Sequence, residues 1–301
     1  MTATLALIKR NVKLFFKDRG MLFTSLITPA ILLVLYVTFL GDVYRDSFEM
    51  NLPEGLAVSE RLMSGLVGGQ LVSSILSVSC VTVAFCSNFL SVQDKSNGTL
   101  RDLTVSPVRS SVLSVSYFAA TLISTLTICL AATVLCFGYL WIVGFYLSFG
   151  DALLLILDVL LLVLFGTALS SIINIFLSSQ GQISAVGTIV SSGYGFISGA
   201  YMPISSFGDG LRTVISFLPG TYGTALVRTH SMRGALSELA GEGVPREAIE
   251  EMKSALDCNV SFFGNKVGEG AAYLVLAGSV LLLIGAYILI SFLISRKKKA
   301  N

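Results

Sequence analysis

Apolar residues collect into six long runs, at about Met21–Leu40, Gly68–Val92, Val112–Val143, Ala152–Leu177, Ile183–Tyr201 and Ala271–Ile294. A helix needs roughly 20 predominantly apolar residues to cross the hydrocarbon core of a bilayer, and each run is near or above that length. A different pattern precedes the first run. Leu5, Ile8, Val12, Phe15 and Phe16 recur at helical spacing, with Lys9, Arg10, Lys13 and Lys17 on the adjoining arc and Leu7 and Leu14 off the stripe. Such a helix lies in the membrane interface, apolar arc inward and basic arc toward phosphates. Pro29 predicts a kink near the middle of the first run. The pattern thus predicts an all-α integral membrane protein, with an interfacial helix at residues 1–20 and six transmembrane helices within 21–301.

The charges alternate across these runs. Lys9, Arg10, Lys13, Lys17, Arg19, Lys95, Arg101, Arg109 and Arg296 through Lys299 occupy the two termini and the even-numbered connections, accompanied only by Asp18, Asp94 and Asp102. The other side carries 8 basic and 14 acidic residues. Excess Lys and Arg mark the cytoplasmic face, so both termini are expected inside. The formal net charge of +2 conceals this polarity. The basic residues sit beside run ends, where anionic membrane lipid accounts for them, and nothing points to nucleic acid. The first run is too long for a signal-peptide core, and no A-x-A-like site closes it. Four cysteines (Cys80, Cys86, Cys129 and Cys136) fall inside runs. Cys258 is alone outside, which leaves only an intermolecular bridge open to it.

Several positions stand out as candidates for function. Asp158 lies seven residues beyond Asp151, roughly 10 Å into a run at 1.5 Å per residue, where an ionisable group is costly unless it serves a purpose. Gly187, Ser191, Gly195 and Gly199 place small residues at four-residue spacing along the fifth run. That spacing admits a second backbone, from the same chain, from another subunit, or along a translocation route. Ser73 and Ser77 belong to an unusual load of hydroxyls in the second run; these either line a route or satisfy themselves on backbone carbonyls one turn back. His230 is the sole histidine, and neither H-E-x-x-H nor G-x-S-x-G occurs, so an intramembrane enzyme lacks its residues. Pro245 through Asp257 reads as an external amphipathic helix with Ile249, Met252 and Leu256 on its apolar stripe.

Residues 93–111 join the second and third runs. Within them Thr99 to about Ser106 reads as a short helix with Leu100 and Leu103 on one side, opened by Asn97-Gly98 and stopped by Pro107. Such a helix suits a groove on another protein. Asp94, then Gly98-Thr99-Leu100, Arg101, Leu103 and Ser106-Pro107-Val108-Arg109 resemble the permease subunits of ATP-binding-cassette type-2 exporters, whose coupling helix meets the ATPase here. Asp94 stands where Glu is more usual, which keeps the charge and shortens the reach. A second resemblance runs through Tyr201-Met202-Pro203-Ile204, Leu218-Pro219-Gly220-Thr221-Tyr222 and Ala225-Leu226-Val227-Arg228. It is similar to the family's segment after span five, which implies external re-entrant helices and a cap within residues 204–270.

The resemblance implies a partner ATPase in two copies, a second permease copy or close relative, and ATP and Mg bound by that partner. This chain itself would hold no cofactor and no metal and would have no catalytic residue. Leu66-Val67-Gly68-Gly69-Gln70 mimics an ATPase signature, yet the chain has no Gly-Lys dipeptide and hence no phosphate-cradling loop. The expected function is export of an amphipathic drug, antimicrobial peptide or lipid-like molecule from the cell. Export of sodium or of a polysaccharide or lipid-linked glycan is the alternative within the class. A secondary transporter or intramembrane enzyme is the alternative outside it.

Overall fold

The computed structural model describes residues 2–50, 52, 58–106, 108–262 and 265–300. Helix α1 (Thr2–Lys17) is amphipathic and runs against the helix at 110–143 and the ends of the helices at 19–35 and 60–96. Asp18 caps the next helix, α2 (Arg19–Leu35), its carboxylate accepting from the Met21 amide at 3.1 Å. Helix α2 continues unbroken through Pro29. The backbone departs from α geometry later, in a π turn over Tyr36–Leu40 that leads into α3 (Gly41–Met50).

Helix α4 (Glu60–Ser96) is the axis of the molecule, enclosed by α2, by α6 (Ser110–Val143), α7 (Phe149–Phe176), α8 (Gln180–Ile197) and α10 (Pro219–Gly241). Its serines and glycines are what let five helices crowd one. A Cβ placed on Gly69 would lie 2.8 Å from the Ser231 carbonyl oxygen of α10, and one on α7 Gly166 would lie 2.8 Å from the Cys80 carbonyl of α4. Backbones that close exclude any larger residue. Helix α12 (Glu269–Ala300) covers α7 and α10 from outside.

Among the described residues, five helical runs are long and apolar enough to cross a membrane: Arg19–Met50, Glu60–Ser96, Ser110–Val143, Phe149–Phe176 and Glu269–Ile294. Helix α8 is the weakest of the expected spans. Its 18 residues reach about 27 Å, but Gly, Ser and Thr dilute its apolar positions. The chain is thus an all-α membrane protein; among the described residues the two short strands (β1, Ser261–Phe262; β2, Asn265–Lys266) form only an antiparallel hairpin.

Helices α1, α5 (Thr99–Val105) and the carboxyl-terminal part of α12 share one end of the bundle. There Arg10 meets Asp94, and the Tyr287 hydroxyl donates to the Ser114 carbonyl at 3.0 Å. At the opposite end lie α3, α9 (Asp209–Ser216), α11 (Arg246–Ala255) and the hairpin. Helix α11 buries Ile249 and Met252, the stripe read from its sequence.

Candidate functional site

The loop after α4 builds its short helix by local means. Gly98 adopts φ +80°, a left-handed conformation that glycine enters without steric cost, and turns the chain sharply into α5. Leu100 and Leu103 are half-buried against the chain's own helices, as is Thr99. The solvent-facing side of α5 carries Arg101, Asp102 and Val105, with Thr104 exposed at its edge, and Val105 is 83% exposed. Arg109 is exposed just before α6. Pro107 lies outside the described residues.

Asp94 sits in a different environment from the rest of that segment. It is 6% exposed. Arg10 of α1 donates to both of its oxygens, at 2.8 and 3.3 Å, and the Tyr117 hydroxyl of α6 donates at 2.5 Å. The hydrogen bond to Asp94 raises the Arg10 guanidinium above its ordinary pKa, against the opposing effect of burial. This clasp joins α1, α4 and α6 near the end of α4 from which α5 departs. One residue on, the Lys95 ammonium donates to the carbonyls of Asn174, Ile175 and Leu177 at 2.7, 3.0 and 3.1 Å. A cation there satisfies the unpaired acceptors at the α7 carboxyl terminus and meets the negative end of its dipole. Sequence reading missed both, since partners 79 and 84 positions away leave no local signal.

Asp158 is fully enclosed between α7, α10 and α12. His230 Nδ1 lies 2.5 Å from one carboxylate oxygen, and the Tyr273 hydroxyl donates to the other at 2.5 Å. Arg233, one turn on, bridges Asp151 of α7 at 3.4 Å and Glu269 of α12 at 2.6 Å. The ionisable residue of the fourth run and the lone histidine, read separately in the sequence, are therefore one buried unit. Arg228 is equally enclosed. It donates to the Leu256 and Gly199 carbonyls at 2.7 and 2.6 Å, tying α10 to the end of α8 and to the loop after α11.

The small-residue stripe of α8 turns toward its own chain. Gly187 faces the Phe89 ring of α4. Gly195 is buried against the Tyr201 ring, and the Tyr201 hydroxyl donates to the Ser191 carbonyl at 3.4 Å. Gly199 has φ +73° and ends the helix. Ser73 and Ser77 are buried within the bundle; Ser73 donates to the Gln70 carbonyl at 2.8 Å and Ser77 has no hydrogen-bond partner among the described residues. Cys258, read as lying outside with an intermolecular bridge open to it, is buried, and burial pushes its thiol up to about 12.

Long apolar helices, buried polar ties between them, and a short helix slung between two of the longest define a multi-pass membrane protein. Residues 2–230 match the sequence profile of the ABC-2 type transporter family, and the chain belongs to that family. It is accordingly the permease component of an ABC-type transporter. Comparison with curated proteins gives no significant match.

Proposed function

We propose that this chain is the membrane half of an exporter that carries an amphipathic molecule out across the cell membrane. ATP and Mg2+ are held by a separate ATPase subunit, present twice, and a second permease copy or close relative completes the pore. Both termini are cytoplasmic, α8 is the fifth of six spans, and α9 with α10 forms the external re-entrant pair. Two placements support that last reading. Gly223 of α10 packs on Leu162, midway along α7, while Arg233 reaches Asp151 at the start of α7. Helix α10 therefore runs antiparallel to α7 over about half its length.

The observation that carries the proposal is the outward face of α5. A seven-residue helix held between α4 and α6 has no core of its own, yet it exposes Val105 flanked by Arg101 and Asp102. Leu100 and Leu103 seat the helix, and the exposed face meets the ATPase. Closure of the ATPase pair pushes on α5, and the Arg10–Asp94–Tyr117 clasp passes that displacement to α1, α4 and α6 together. The spans then switch as packed units between two arrangements. A route lined by uncharged and hydroxyl-bearing helices suits an amphipathic substrate better than an ion.

The test is affinity purification of the tagged chain from native membranes, with bound ATPase subunits identified by mass spectrometry. An ATPase should co-purify, and Val105→Asp should cut its recovery about ten-fold or more, the scale expected for an anchor in a small interface. Monodispersity of the variant in detergent checks its fold. Unchanged recovery with Val105→Asp, or ATP hydrolysis by the isolated chain, would overturn the proposal.

A further inference from the structure

Behind α5, on the side away from its exposed face, lies a cavity of about 390 Å³ walled by α4, α5, α6, α7 and α12. Its volume falls within the range of about 300–1,000 Å³ typical of small-molecule pockets. Leu113, Ile175, Leu177 and Ile294 supply apolar wall. The polar side is made of amides and hydroxyls, among them Asn174, Ser171, Ser114 and Ser291.

Asn174 is the informative residue. It is 2% exposed, it lines the cavity, and neither its Nδ2 nor its Oδ1 has a hydrogen-bond partner among the described residues. A buried amide left unpaired in both directions destabilises a fold, so its presence points to a ligand that completes it. The other amide lining the cavity, Asn88, is not in this condition: it donates to Ser170 and Ser171 at 3.1 and 2.8 Å.

Electrostatics narrow the ligand's chemistry. Among the described lining residues Lys95 alone is charged, and its ammonium is turned onto three carbonyls at the α7 carboxyl terminus, where the helix dipole offsets it. Among those lining residues a phosphate would find little uncompensated positive charge and a cation no carboxylate. The amide offers one acceptor and one donor side by side, which matches vicinal hydroxyls: one O–H donates to Oδ1 while the neighbouring oxygen accepts from Nδ2. We propose that this cavity binds an amphipathic molecule with an uncharged polyol head, its head on Asn174 and its chain along the apolar wall. Leu100 and Thr104 also line the cavity, so an occupant packs against the back of α5. The inference does not depend on what α5 meets outside.

The full-length chain in phosphatidylcholine nanodiscs is photolabelled with a monoacylglycerol carrying a diazirine in its acyl chain, and adducts are mapped by mass spectrometry. Labelling should concentrate on segments 110–117, 171–178 and 287–294. Unlabelled monooctanoylglycerol should displace it, whereas dodecyl phosphate and free glycerol should not. Saturating monooctanoylglycerol should slow amide exchange over 100–105. Asn174→Leu should lower labelling about ten-fold, the order of a lost hydrogen bond to a buried group, while the unliganded protein melts no lower than the parent. Ser291→Leu, which fills the cavity from α12, should do the same. Labelling spread evenly over outward-facing helix surfaces, equal displacement by dodecyl phosphate or by glycerol alone, or unchanged labelling in both variants would overturn the proposal. So would a lower melting point in Asn174→Leu, which would assign the amide to the fold.

Discussion

Removing either partner of the Arg10–Asp94 pair should destabilise the chain unequally, and the inequality can be worked out from burial. The Arg10 side chain is 30% exposed and that of Asp94 only 9%. Breaking a fully buried pair costs about 3–5 kcal/mol, because a charge is left without compensation. Exposed pairs are worth about 0.2–1 kcal/mol. Arg10→Met strands the more enclosed partner, a carboxylate whose remaining donor is Tyr117, so its cost should approach the buried figure, about 3 kcal/mol. Asp94→Asn strands a guanidinium that can still reach water, and the amide oxygen can still accept from Tyr117; about 1–2 kcal/mol is expected, between the two limits. The double variant should cost less than the sum of the singles, leaving a coupling energy of about 1–2 kcal/mol. Steric-trap unfolding in bicelles would measure all three. Equal single costs with strictly additive behaviour would refute the reasoning, since the clasp would then contribute nothing specific.

Gly195→Ala should destabilise the single chain by about 1–3 kcal/mol, the usual range for overpacking, because the new Cβ falls within the van der Waals shell of the Tyr201 ring. Gly187→Ala, whose Cβ would stop 3.3 Å from Phe89, should be nearly neutral, and comparable losses in the two variants on thermal melting would count against this packing. Replacing Asp158 by Leu should cost about 3–5 kcal/mol by stranding His230 among apolar helices, and Asp158→Leu/His230→Leu should recover much of it; no recovery in the double variant would mean the pair is not a unit. Cys258 should resist a membrane-impermeant maleimide at pH 8 while folded and react fully in denaturant. With the thiol pushed up to about 12, the reactive thiolate is a fraction of about 10⁻⁴ at that pH. Rapid labelling of the folded chain would contradict its burial.

Membrane class and helical content were legible in the sequence because each span advertises itself locally, through length and hydropathy. The helix after Gly98 and the stripe of α11 were legible for the same reason: glycine, cap and apolar spacing act over a few residues. The sequence also singled out Asp94, Asp158 and the α8 stripe, and what it could not supply was their partners. Asp94 needed Arg10 from 84 positions upstream, and Asp158 needed His230 and Tyr273 from two other helices. Hydroxyls in α4 read equally well as the wall of a route or as packing, since a serine has the same sequence context in either. Only the assembly, with five helices crowded onto α4, fixed which side of each residue faces protein. Leu100 and Leu103 make the same point in reverse. Their spacing marked an apolar face correctly, but only tertiary packing decided that this face seats the helix and that Val105 looks outward. Periodicity records that a face is apolar; the surface that covers it is set by chain segments far away, and no local pattern encodes them.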